Sequence, residues 1–191
     1  MYVVSGSLTS MQAISDQERP TEAVPEISLL AISVSNLAPQ HVIQLELPLP
    51  PPDPRRPGSA TGAARWALDR MRADLGDLPV VLVGHSMGGR TAISVADDPR
   101  VVGVVGLAPW IAEDTPTAPL TGKHLVAAHG RADRITSFGA TRAFTERAAR
   151  VAASARFLDM GPLGHYLLRG HQRWRRIAAD ESLGMLAADA G

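Results

Sequence analysis

The chain has 191 residues, is 45% hydrophobic, contains no cysteine, and balances 19 basic against 19 acidic residues. That length suits one well-buried domain, and the neutral balance leaves no electrostatic footprint for nucleic acid. The missing cysteine excludes disulfides, thiolate metal sites and a cysteine nucleophile.

The first 58 residues stand apart from the rest. Residues 2–4 suit a short strand opening into Ser5-Gly6-Ser7, and 27–35 and 41–47 alternate apolar and polar residues as half-exposed strands do. Residues 47–57 hold six prolines and must run extended, as a spacer or as a docking site for a proline-reading partner. Two regions are therefore expected: an atypical, partly disordered Pro-rich segment over 1–58 and a folded core over 59–191. No basic residue precedes Arg19 and no apolar run reaches the length of a membrane span. A cytoplasmic protein without membrane contact is expected; no motif sets an oligomeric state.

Beyond residue 58, helix and strand patterns alternate. Residues 59–75 repeat apolar side chains (Trp66, Ala67, Met71, Leu75) on one helical face, stopped by Gly76 and Pro79. An apolar run at 80–83 reads as a strand, followed by a helix ending near Asp97-Asp98-Pro99. Residues 101–107 form a strand apolar on both faces, the mark of a parallel sheet. A proline-rich loop, a strand at 124–128, an amphipathic helix at 137–151, a strand at 155–160 and a helix around 172–179 complete the series. The run Arg173-Trp174-Arg175-Arg176 reads as a solvated helix face rather than a phosphate-binding patch. The expected fold class is α/β, a mostly parallel sheet flanked by helices, with ligands at the carboxyl ends of the strands.

Between the strand at 80–83 and its helix stands Gly84-His85-Ser86-Met87-Gly88-Gly89. A sharp strand-to-helix turn needs positions two before and two after its apex to lack a bulky Cβ, and Gly84 and Gly88 meet that need. Such a turn holds the Ser86 hydroxyl out from the backbone, beside the free N–H groups of a helix N-terminus. The competing reading is an ordinary turn in which Ser86 only caps the helix.

A serine hydroxyl becomes a nucleophile when an imidazole takes its proton and a carboxylate orients that imidazole. Candidates for both follow later strands: His129-Gly130-Arg131-Ala132-Asp133, and Gly161-Pro162-Leu163-Gly164-His165. Ser86, Asp133 and His165 thus fall on successive loops at one rim, in the chain order Ser, Asp, His. His85 suits packing within the turn, and His129 suits shaping the acid loop. His41, His124 and His171 need only surface or capping roles. Asp159 is the alternative carboxylate. No His or carboxylate spacing of the His-Glu-x-x-His kind points to a metal.

From about residue 59 to 186, these motifs resemble the α/β-hydrolase family, particularly its small bacterial esterase-like members. The resemblance implies Ser86 as nucleophile, Asp133 as orienter, His165 as base and acid, and Met87 N–H as an oxyanion donor. It implies acyl transfer to water through an acyl-enzyme on a small-molecule ester or thioester, with no cofactor. A second donor in such enzymes follows an early strand ending in His-Gly. No His-Gly pair lies upstream of Ser86, and Ser7 N–H is the substitute. Lacking a complete oxyanion hole, the chain would instead be a non-catalytic or impaired binding protein of the same fold. The fourteen residues 108–121 are too few for a helical cap, so an open site is expected. Trp110 and Ile111 either wall the acyl pocket or pack their loop on the sheet.

Overall fold

Apolar runs separated by glycine and proline generate four strands: β1 (Val80–His85), β2 (Val101–Leu107), β3 (His124–His129) and β4 (Ser154–Asp159). The helices are α1 (Ala60–Leu75), α2 (Met87–Ser94), α3 (Phe138–Ala148) and α4 (His171–Asp189). This computed structural model describes residues 60–189 except Leu168. The expectations for 1–58, including the strands at 2–4, 27–35 and 41–47, the proline spacer and Ser7, lie outside the described residues.

The four strands are parallel and ordered β1-β2-β3-β4. Right-handed crossovers between sequential parallel strands place their connecting helices on one face. There α1, α2 and α3 contribute Leu68, Met71, Ile93 and Phe144 to a core cluster with Val80, Leu82, Val104 and Leu125. On the opposite face, Trp174, Ala178 and Met185 of α4 pack with Val81, Val83, Val105 and Val126. Successive residues of one strand enter opposite clusters, as the two-residue period of a strand requires. Each fully buried Val, Leu or Phe is worth about 1.5–3 kcal/mol, which explains why the strand interiors carry almost no polar side chain.

The elements expected beyond residue 59 are all present, most with shifted ends. β1 continues to His85 because Gly84 and His85 stay in register with Gly106 and Leu107 of β2. α2 stops at Ser94: the Ser94 hydroxyl bonds back to Arg90 O, and the Val95 and Ala96 N–H groups reach three residues back. α4 extends ten residues past Ala179 because Ser182 and Met185 prolong its buried stripe. The 173–176 run is correspondingly not a uniformly solvated face. Trp174 is buried in the core while Arg173, Arg175 and Arg176 are exposed.

At the amino end of the sheet, opposite the rim that carries Ser86, Arg100 and Asp98 form a nearly buried ion pair at 2.7 Å. Arg100 also donates to Leu68 O of α1 at 2.8 Å, tying α1 to the start of β2. Residues 108–121 hold only a short 3-10 turn (Ala118–Leu120), and no large cap stands over the carboxyl ends among the described residues. No described helix is long and apolar enough to cross a membrane.

Candidate active site

The turn between β1 and α2 is tight because of Gly84. A Cβ there would run into the Gly88 carbonyl and lie 2.5 Å from Gly89 N. At its apex Ser86 takes φ 54°, ψ −119°, a conformation uncommon for any residue but glycine. Three N–H groups converge on its carbonyl oxygen: Trp110 at 2.9 Å, Gly89 at 3.1 Å and Arg90 at 3.3 Å. Ser86 occupies the N-cap position of α2, yet its side chain makes no capping bond. Instead its Oγ lies 3.0 Å from His165 Nε2. The capping reading therefore fails on geometry, and the hydroxyl is directed at an imidazole. Met87 opens α2, where N–H groups have no intrahelical partner.

Asp133 sits in the loop after β3, its side chain fully buried. Oδ1 accepts the N–H groups of Ile135 (2.8 Å) and Thr136 (2.9 Å), closing an Asx-type turn. Oδ2 faces His165 Nδ1 at 2.8 Å, the Thr136 hydroxyl at 2.9 Å and His129 Nε2 at 3.1 Å. Burial by itself would raise the Asp133 carboxyl. Hydrogen bonds from Thr136 N–H, His165, Ile135 N–H and the Thr136 hydroxyl outweigh it and hold the group below the usual carboxylate range.

The acid and base loops are locked together. Met160 N–H donates to His129 O, Arg131 N–H to Gly161 O at 2.7 Å, and Ala132 N–H to Leu163 O at 3.1 Å. Gly130 permits this approach, since a Cβ there would collide with the Leu163 carbonyl. His85 braces the same loop from β1, donating from Nε2 to the His165 carbonyl at 2.9 Å with the two rings 4.8 Å apart. Burial lowers the pKa of His85 and favours its neutral form. His165 is 6% exposed. With Nδ1–H donated to Asp133, its Nε2 lone pair faces the Ser86 hydroxyl, the tautomer a general base requires.

The structure thus brings Ser86, Asp133 and His165 into one hydrogen-bonded line. Asp159, the alternative carboxylate, is held elsewhere by Arg131 Nε at 2.7 Å and Gly161 N–H at 2.8 Å. His124 Nδ1 pairs with the Ser154 hydroxyl between β3 and β4. Trp110 is 49% exposed at the rim, whereas Ile111 belongs to the core cluster beneath it. Ser7 lies outside the described residues.

Thr136 escaped the sequence reading. Besides Asp133, its Oγ1 lies 3.1 Å from His165 Nδ1 and 3.3 Å from Ala108 O. A hydroxyl three residues after a turn-forming aspartate was the available signal. The direct approach of His129 to the same carboxylate was also missed, although a shaping role for that histidine was expected.

A parallel α/β sheet with a serine elbow and a facing histidine and aspartate at its carboxyl rim has the layout of a hydrolase fold. The family model described as "Alpha/beta hydrolase family" matches residues 28–189, and the chain belongs to that family. The match begins upstream of residue 59. No curated protein matches the chain in sequence. Among solved structures, the chain is similar to a predicted CIB-like hydrolase from Thermoplasma acidophilum (22% identity, TM-score 0.50, 64% of this chain and 59% of that one). It is also similar to an alpha-beta serine hydrolase homologue from Coxiella burnetii (17%, TM-score 0.56, 66% and 61%). A third is a monoacylglycerol lipase from Paleococcus ferrophilus (16%, TM-score 0.54, 69% and 78%). At these identities the likeness concerns the fold, and the chain spans about three fifths of the first two relatives.

Proposed function

We propose that the protein is a serine hydrolase of carboxylic esters or thioesters with small acyl groups. The observation that carries this reading is the line Ser86 Oγ, His165 Nε2 (3.0 Å), His165 Nδ1, Asp133 Oδ2 (2.8 Å). His165 takes the proton of Ser86 as its oxygen attacks the substrate carbonyl, and Asp133 stabilises the resulting imidazolium. Met87 N–H donates to the oxyanion, with Ser7 N–H as the second donor. The imidazolium returns the proton to the leaving alcohol or thiol, leaving an acyl group on Ser86. Water, deprotonated by the same imidazole, then releases the acid.

An uncapped stretch at 108–121 favours short, water-accessible acyl chains over long ones that need an enclosed tunnel. Hydrolysis of p-nitrophenyl acetate and butyrate by the full chain tests the proposal. Turnover by wild type that disappears in Ser86→Ala supports it. A folded wild-type chain without turnover favours the non-catalytic binding reading.

A further inference from the structure

Beside the Ser86 turn stands a cation, Arg90, next to a half-exposed aromatic ring. Arg65, Arg70, Arg100, Arg131 and Arg156 each engage a carboxylate. Arg90 has no carboxylate partner among the described residues. Its Cζ lies 5.7 Å from the ring centroid of Trp110, itself 49% exposed. Both residues are anchored to the nucleophile turn, since their N–H groups donate to the Ser86 carbonyl oxygen. Arg134, Arg150 and Arg175 likewise have no carboxylate partner among the described residues; what distinguishes the Arg90 guanidinium is its place beside the nucleophile turn. Here it is stacked on an aromatic face at the rim and left half-buried with its donors unspent.

We propose that Arg90, held by Trp110, recognises a free carboxylate on the substrate, so that the preferred substrates are half-esters or half-thioesters of dicarboxylic acids. This rests on the serine-hydrolase reading of the same site. A planar guanidinium presents parallel N–H donors that match one carboxylate bidentately, and stacking on an indole limits the rotamer freedom lost on binding. The indole also offers an apolar surface to the short hydrocarbon chain between carboxylate and ester. Arg90 is therefore a specificity residue: it selects which ester is bound and takes no part in bond breaking.

Binding to the full-length Ser86→Ala variant tests this without requiring turnover. Monomethyl glutarate and dimethyl glutarate are titrated by calorimetry, and the Trp110 indole N–H resonance, assigned with Trp110→Phe, is followed by NMR. The monoester is expected to bind about 10- to 100-fold more tightly than the diester, the range for a hydrogen bond to a charged group. It should shift the Trp110 resonance, and the preference should collapse toward unity in Arg90→Gln, with Arg90→Lys intermediate. No preference for the monoester, or one that survives in a folded Arg90→Gln, overturns the proposal. Failure of the serine chemistry would appear separately, as absent ester turnover by wild type.

Discussion

His129 Nε2 lies 3.1 Å from Asp133 Oδ2, so the carboxylate that meets His165 meets a second imidazole on its other flank. His129 is fully buried, and its Nδ1 lies 2.8 Å from the Thr141 hydroxyl. The neutral Nε2–H tautomer satisfies both neighbours: Nε2–H donates to Asp133, and Nδ1 accepts from Thr141. Burial lowers the His129 pKa despite the nearby carboxylate, and His85 is lowered by burial as well.

A pH dependence of stability follows. An unfolded histidine takes up a proton near its ordinary value of 6.5, whereas folded His129 and His85 do so only at lower pH. Between those limits the unfolded chain binds more protons, so stability is complete above about pH 6.5 and falls as pH falls through the folded values. The thermal midpoint of the wild type is expected to drop between about pH 7.5 and 5.5. The drop should be smaller in His129→Gln; equal drops in the two proteins would remove this role. Asp133, with its lowered pKa, adds a loss confined to pH below its ordinary 3.8.

Asp133→Asn should leave the fold standing while removing the acceptor that fixes the His165 tautomer. Turnover of p-nitrophenyl butyrate is expected to fall on the order of 10³–10⁴-fold, and His165→Ala should fall comparably. Thermal midpoints measured alongside separate lost chemistry from lost structure. A folded Asp133→Asn with near wild-type turnover would mean that another group orients the imidazole.

Thr136→Val and Thr136→Ser form a matched pair. Valine removes the hydroxyl that faces Asp133, His165 and Ala108 O and should cost about 1–3 kcal/mol of stability. It should lower kcat more than it changes KM, because Thr136 acts through the position of His165. Serine restores the hydroxyl and should restore kcat. If Thr136→Ser is as impaired as Thr136→Val, the methyl group is what matters at that position.

Two glycines should respond in opposite senses to alanine. At Gly130 a Cβ would lie 2.6 Å from the Leu163 carbonyl carbon, with no flexible side chain to yield. The acid and base loops would have to separate, and a loss of more than about 3 kcal/mol is expected in denaturant titration. Gly184, inside α4, has no atom within 4 Å of the added methyl. There alanine should stabilise by about 0.5–1 kcal/mol, through helix propensity alone.

The parallel sheet was legible because β1, β2 and β3 are buried on both faces: 101–107 could be read to the residue, and Gly84-His85-Ser86-Met87-Gly88 marked the turn and its apex. Asp133 and His165 could be read because each follows a strand end by a short loop, where topology leaves little freedom. What escaped depends on contacts between loops. Thr136 reaches His165 only because the acid loop folds back through an Asx turn. His129 meets Asp133 only because α3 buries its ring. The stop of α2 at Ser94 and the extension of α4 to Asp189 were hidden for a related reason. At the end of α2 the Val95 and Ala96 N–H groups turn to carbonyls three residues back, and in α4 the buried stripe runs on through Ser182 and Met185, a weak hydrophobic signal.

The most direct test of the proposed nucleophile is reaction of the full chain with a fluorophosphonate probe, followed by mass spectrometry of the labelled peptide. A single adduct on Ser86 is expected, absent from Ser86→Ala and formed far more slowly in His165→Gln. A correctly folded wild-type chain that forms no adduct, or forms it at the same rate without the imidazole, would contradict it.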